Sequence, residues 1–297
     1  MAVGSLVLLI APAHGVTGVL CISIKGKGTV KVRDTGCKPS EVQVGTFDTG
    51  APQASFTATA QCPADSVRVG SVCVDKYEAS VWETTDAATI AAIRNGEIDT
   101  VAELSLATQR GELSDDYDPG CPDTGNGCLD YYAVSVPGVT PSNRATWFQA
   151  AAACRNAHKR LATNQEWQMA ALGTPDPGTD DETTDCNVGG PPFGYSSTGS
   201  RSACVSDTGA FDMVGNVAEW VADWGDGATN CTNWSPTYGT DLSCVGGDGS
   251  TNLPGALTRG GAFSSGSDAG VFAVQSDGDP SLSPSRVGFR CVREPQR

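Results

Sequence analysis

The sequence predicts a loop-rich α+β protein held together by disulfides. Three observations lead there. Apolar and polar residues alternate only over short runs, helical spacing is concentrated in residues 145–172, and the 297 residues include 36 glycines, 17 prolines and 12 cysteines. Glycine and proline at that level interrupt long elements and favour turns. The cysteine count is even, none forms a CxxC pair, and His14 and His158 are the two histidines. Clustered thiolate or imidazole ligands for zinc or iron are therefore missing, and the cysteines read as disulfides made in an oxidising compartment.

Charge excludes one class of partner. With 34 acidic against 19 basic residues the formal charge is −15, a field that repels a phosphate backbone and argues against nucleic-acid binding. Residues 1–15, MAVGSLVLLIAPAHG, form a short apolar run ending in small residues. It is too short to span a bilayer and reads as a signal peptide or hydrophobic leader, although no Lys or Arg precedes it. Nothing further along is apolar enough to cross a membrane, so the expected location is secreted or at the cell surface.

Residues 16–60 make a small β-rich segment. VLCISI and TVKVRD are joined by KGKG as in a hairpin, with Cys21 and Cys37 placed to staple it. TFDTGAPQASFTATAQ follows as a linker or edge strand, and the whole segment is a candidate for self-assembly. The main domain occupies 61–297. SVRVGSVCVDKYEASVWE (66–83) alternates like a half-buried strand pair, and AATIAAIRNGE (87–97) is weakly helical. DDYDPGCPDTGNGC (115–128) is acidic but lacks the EF-hand ligand spacing and its closing Glu, so it reads as a solvated insertion.

The clearest helix signals lie in ATWFQAAAACRNAHKRLATNQEWQMAAL (145–172). Trp147, Ala151 and Cys154 recur at helical spacing, and Thr163 with Glu166 forms a capping-box pattern that opens a second helix. Beyond 173 the chain is rich in Gly, Asp, Ser and Thr with short strands, a composition that needs support from disulfides or bound calcium. Cys62 and Cys73, Cys121 and Cys128, Cys186 and Cys204, and Cys231 and Cys244 each bracket a short loop.

Separated segments carry a family likeness in the correct order: VCVDKYEAS (72–80), CRNAHKRLATNQEWQMAA (154–171), GAFDMVGNVAEWVADW (209–224), and TRGGAF (258–263) with VGFRCVRE (287–294). Over residues 62–297 the chain resembles the formylglycine-generating enzyme and sulfatase-modifying-factor family, a variant of the C-type-lectin-like fold. On residue chemistry alone, Arg160 and Glu166 flank a helix start, Trp167 and Trp220 suit core anchors, and Gly260 and Gly261 suggest close backbone approach. The resemblance makes Cys291 the partner of Cys154, which leaves 21–37 and the four short brackets as the remaining pairs. It also implies a calcium ion held by Asp212, the carbonyls of Gly215 and Val217, and Glu219, since hard oxygen ligands suit that ion. A second calcium site would begin at Asn187 and Val188, without a clear match for its other ligands.

One departure decides the functional expectation. The family's oxidases bind copper through two cysteines after the RGG turn, and soft thiolates are what copper(I) needs. Here those positions fall near Ser265 and Gly270. No copper is expected and the chain reads as a pseudoenzyme. The iron-dependent relatives need a histidine cluster that two histidines cannot supply, and His158 is expected on a helix surface beside Lys159.

In this fold residues 262–286 line the concave ligand face, which makes Ser264, Ser265, Ser267, Asp268, Gln275, Asp277 and Arg286 candidate contacts for a protein or small-molecule ligand. The frame is also similar to the variable proteins of diversity-generating retroelements, whose variable positions descend from mutated asparagine codons. Ser264, Ser265, Ser267, Asp268, Asp277, Gly278, Leu282 and Arg286 fit that origin, whereas Gln275 does not. An ordinary polar loop, an oxidase with an unrecognised copper centre, and a structural appendage component assembling through 16–60 stand as alternatives.

Overall fold

The computed structural model describes residues 17–23, 30–33, 37, 41–48, 61–112, 116–117, 120–176, 178–189, 194–228, 230–233, 240–246 and 254–296. The leader expected at 1–15 lies outside them. The chain divides into two units, one up to Gln61 and one spanning Cys62–Gln296.

The first unit is a three-stranded antiparallel sheet. Strands β1 (Thr17–Ser23), β2 (Val30–Arg33) and β3 (Glu41–Asp48) lie in the order β2-β1-β3. Leu20 pairs with Val32 and Ile22 with Val30, the hairpin expected across KGKG. Cys37 is disulfide-bonded, while the side chain of Cys21 lies outside the described residues.

Among the described residues the second unit holds three sheets and three short α-helices. Its first strands are β4 (Ser66–Val69), β5 (Val72–Asp75) and β6 (Ser80–Glu83), followed by α1 (Ala87–Asn95), β7 (Thr108–Arg110), β8 (Tyr131–Val134), α2 (Trp147–Asn156), β9 (Arg160–Leu161) and α3 (Asn164–Ala170). The rest is β10 (Ala218–Asp226), β11 (Asn230–Asn233), β12 (Leu242–Gly246), β13 (Pro254–Gly260), β14 (Gly270–Gln275), β15 (Val287–Phe289) and β16 (Cys291–Arg293). The sheet orders are β4-β5-β16-β9, β7-β6-β8 and β11-β12-β14-β13-β10-β15. The largest sheet is mostly antiparallel, with parallel pairing of β10 to β15 and of β12 to β14.

Two local expectations change. Residues 66–83 are not one half-buried strand pair: β4 and β5 form a hairpin in one sheet and β6 belongs to another. β5 is buried throughout because it lies between β4 and β16, so its alternation carries no solvent face. His158 is exposed, but it stands beyond the end of α2 at φ 57° rather than on a helix surface. Its neighbour Lys159 turns inward, reaching Asp65 at 2.7 Å and Asp75 at 2.6 Å. Arg293 joins the same network at 3.0 Å from Asp65.

The helices start where side chains can satisfy their first N–H groups. Asp86 accepts from Thr89 N at α1, and Thr146 with Gln149 and Thr163 with Glu166 form capping boxes at α2 and α3. Glu166 also holds Arg160 through two bonds of 2.7 Å. Trp167 and Trp220 are fully buried in separate core clusters, as expected of anchors. Disulfides join 62–73, 121–128, 154–291, 186–204 and 231–244.

Two predictions follow from this packing. Hydrogen bonding from Arg160 pulls the Glu166 carboxyl down to about 2. A depressed folded-state pKa stabilises above the unfolded value and is lost as pH falls, so E166Q flattens the acid limb of the thermal-stability profile between about pH 4.5 and 2. Cys154 and Cys291 tie α2 to β16 across 137 residues. Replacing both with serine costs about 2–5 kcal/mol, read by denaturant unfolding, well beyond the loss from opening 121–128, which closes 7 residues.

Candidate functional site

The site is built on a turn that few sequences tolerate. Gly215 and Asn216 are successive residues with φ of 76° and 55°, and Asp212 sits at 57°. Asn216 is completely buried and uses its whole amide. It donates to Glu78 Oε2 at 2.5 Å and to Ser196 O at 3.1 Å, and accepts from Ser196 N at 2.8 Å and Asn187 Nδ2 at 3.1 Å. Its backbone carbonyl accepts from Phe263 N at 2.9 Å. A side chain at 215 would strike the Asn187 carbonyl at 2.2 Å, so glycine there is steric as well as conformational.

Beside this turn Glu219 is paired with Arg290, both fully buried. Arg290 Nη2 donates to Glu219 Oε1 at 2.6 Å, its Nε bridges both oxygens at 2.9 Å, and Trp167 Nε1 reaches Oε2 at 2.6 Å. Glu78 and Asp212 add two more carboxyls. Burial, reinforced by Asp212 and Glu219, pushes Glu78 well above its ordinary range, and burial raises Asp212 to about 6.

This arrangement tests the calcium expectation. Asp212, Gly215, Val217 and Glu219 are brought together, but both Glu219 oxygens are already taken by Arg290 and Trp167. Asp212 gives one oxygen to Gly199 N at 2.7 Å. Calcium requires six to eight oxygen ligands, and here both Glu219 oxygens are committed to N–H donors, Arg290 among them. The set as packed does not fit the ion. The carbonyls of Asn187 and Val188 are likewise used, by Asn216 N at 2.8 Å and Gly266 N at 2.6 Å.

The strands and turns next to this hub enclose an open cleft of about 270 Å³. Ser264, Ser265, Asp268, Gln275 and Arg286 line it, with Ala218, Leu242 and Pro284 as apolar floor and wall. The RGG turn positions the serines: Gly260 and Gly261 have φ of 84° and 76°, and a side chain at 261 would meet Ala269 at 2.6 Å. Ser265 Oγ accepts from Ala262 N at 3.0 Å, Arg286 Nη1 donates to Ser264 Oγ at 3.2 Å, and Asn233 Nδ2 donates to Asp268 Oδ1 at 2.9 Å. Tyr195 packs edge-on against Phe263 at 5.0 Å and donates its hydroxyl to Ser285 O, bracing the rim.

Two of the expected contact residues do not reach the cleft. Ser267 is exposed on the outer side of the turn, where its carbonyl accepts from Thr240 Oγ1 at 2.8 Å. Asp277 is exposed next to the Cys231–Cys244 disulfide, one strand end away. Leu282 is exposed but outside the cleft lining, and Gly278 packs against Trp220. Glu78 was not singled out from sequence because YEAS reads as an ordinary strand. The residues around it, Asp75, Lys76 and Ser80, are themselves polar, so nothing in the sequence marks Glu78 as a buried carboxylate. Among the described residues every cysteine is in a disulfide, so no thiol faces the cleft.

With this geometry in place, comparison with known proteins identifies the class. The profile of the sulfatase-modifying factor enzyme 1-like domain family matches residues 31–295, and the chain belongs to that family. It is 30% identical over 175 residues to the formylglycine-generating enzyme of Thermomonospora curvata, covering 52% of this chain and 56% of that one. The Streptomyces coelicolor enzyme is 28% identical over 174 residues, covering 52% of each. The chain thus spans about half the length of the curated relatives it matches. Among solved structures it is similar to the Major Tropism Determinant I1 variant, with a TM-score of 0.45, 17% identity, and coverage of 96% of this chain and 73% of that one. It is also similar to Treponema denticola variable protein 1, with a TM-score of 0.35, 18% identity, and coverage of 79% and 100%.

The Glu219–Arg290 pair predicts how the hub responds to perturbation. Arg290→Met leaves Glu219 buried and unpaired and costs about 3–5 kcal/mol, measured by chemical denaturation. A chelator leaves the thermal midpoint of the native protein unchanged. A chelator-dependent drop that added calcium reverses would restore the ion to this site.

Proposed function

We propose that this chain is a secreted binding module without oxidase chemistry, recognising a protein or small-molecule ligand through the cleft of Ser264, Ser265, Asp268, Gln275 and Arg286. The observation that carries this reading is the pair of residues standing where the family's oxidases have their cysteines. Ser265 offers a hydroxyl already held by Ala262 N. Gly270 offers no side chain, and a Cβ there would meet the Asp241 carboxylate at 2.2 Å. Copper(I) needs soft thiolates, and neither position supplies one.

What the cleft offers is hydrogen bonding. A guanidinium, hydroxyls, a carboxylate and an amide converge on a small apolar floor, the composition of a recognition site. Five disulfides support an oxidising compartment. Apart from Gln275 on β14, the cleft side chains project from loops and turns beside the Gly260–Gly261 and Gly215–Asn216 conformations, so their identity is separable from the fold.

Two measurements test this. Titration with copper(I) under reducing conditions, followed by exposure to oxygen with a cysteine-containing peptide, gives no stoichiometric copper binding and no oxygen-dependent loss of peptide thiol; both together would assign the oxidase instead. Deep sequencing of codons 258–294 across a natural population gives substitutions at Ser264, Ser265, Asp268 and Arg286 with Gly260, Gly261 and Arg290 constant. Uniform codons would leave a binding module of fixed specificity.

A further inference from the structure

The largest sheet carries a second hollow, separate from the cleft. Side chains alternate between faces along a strand. On β14, Gln275 lines the cleft, whereas Phe272 and Val274 line a hollow of about 480 Å³ elsewhere on the sheet. Its walls are apolar and accessible: Trp224 is 41% exposed, Val245 50% and Phe272 37%. Trp224 is held edge-on by Trp147 at 5.0 Å, so the wall is braced. The cation in the lining is Arg259 and the acid is Asp226.

Arg259 is short of a partner. It is 4% exposed and lies over the Trp167 ring at 4.7 Å. Its Nη2 donates to Gln168 Oε1 and, at 3.1 Å, to Val271 O. Its Nε is buried without a hydrogen bond and its Nη1 makes none; Asp241 acts on it electrostatically, but no carboxylate lies within ion-pair distance of it among the described residues. The other buried arginines are paired differently: Arg290 with Glu219, Arg293 with Asp65, and Arg201 with Asp180. Leaving a guanidinium buried without an ion-pair partner is costly, and burial, offset only in part by Asp241, lowers the pKa of Arg259 to about 10.

The geometry points to a second binding site in this hollow, for a small amphipathic carboxylate: an aryl or alkyl acid whose carboxylate meets Arg259 and whose apolar body lies against Trp224, Phe272 and Val245. The volume suits a ligand of this size. Asp226 disfavours a second negative group at its end and so orients the ligand. The chain's charge of −15 opposes anions in general, so binding depends on the local guanidinium and weakens when the ligand loses its charge. This site is independent of the cleft proposed above.

The probe is 4-phenylbutyrate, compared with its primary amide, titrated into the full chain by calorimetry and by tryptophan fluorescence. The acid binds saturably, the amide at least tenfold more weakly, and Arg259→Gln at least tenfold more weakly than the native chain. Because Arg259 packs on Trp167, Arg259→Gln can fail to fold. Val245→Asp then decides: it places a like charge on an exposed wall, leaves the thermal midpoint unchanged, and weakens the acid at least tenfold. Equal binding of acid and amide, no saturable binding of the acid, or native affinity in Val245→Asp overturns the proposal.

Discussion

The ion pair between Glu219 and Arg290 is the interaction on which the rest of the second unit depends. Arg290 lies between β15 and β16 and donates to the carbonyls of Asp75 at 3.0 Å and Phe211 at 2.8 Å as well as to Glu219. Glu219 sits on β10 and also receives the indole of Trp167 from α3. One charge pair therefore ties together two sheets, a helix and the loop before β10. Buried pairs of this kind contribute little net stability relative to apolar packing, but losing one partner is expensive. Their effect is to admit one arrangement of the surrounding elements.

Above that hub, backbone conformation takes over from charge. Asn216 satisfies its amide only in the left-handed turn with Gly215, and Gly260 and Gly261 turn the chain back toward the Ala269 backbone. Both turns depend on the hub, because the amide of Val217 donates to Glu78 at 3.1 Å and the amide of Gly215 to the Gly260 carbonyl at 3.2 Å. The cleft is thus a surface feature resting on buried polar groups that are almost fully hydrogen-bonded, the condition under which polar interiors specify a unique structure.

Much of this was legible in the sequence where a residue has one plausible physical role. Thr163 and Glu166 announced a helix start, Trp167 and Trp220 read as anchors, and the paired glycines of the RGG turn marked a close approach. The Cys154–Cys291 pair was legible only through family likeness, since spacing alone cannot choose among pairings across a chain of this length. What stayed hidden is long-range partnership. Lys159 looks like a surface residue next to His158, yet it closes a buried network with Asp65 and Asp75, which lie 94 and 84 residues away. Glu219 looks like a metal ligand until Arg290, 71 residues later, is seen to occupy it. Ser267 and Asp277 fell outside the cleft for a local reason: a turn and a strand end rotate alternate side chains away from one another.

The distribution of constraint along residues 258–294 has a consequence for how such a protein can change. The ends of this stretch are anchored, by the buried Thr258 and Arg259 at one side and by Phe289, Arg290 and the Cys291 disulfide at the other. Between them Ser264 and Arg286 are exposed, and their side chains hydrogen-bond to each other. Exchanges at such positions usually alter stability by no more than about 0.5 kcal/mol. Under the binding role proposed above, stability and specificity are therefore written in different residues, and the scaffold is a natural host for grafted recognition: a new binding preference can be installed without renegotiating the core.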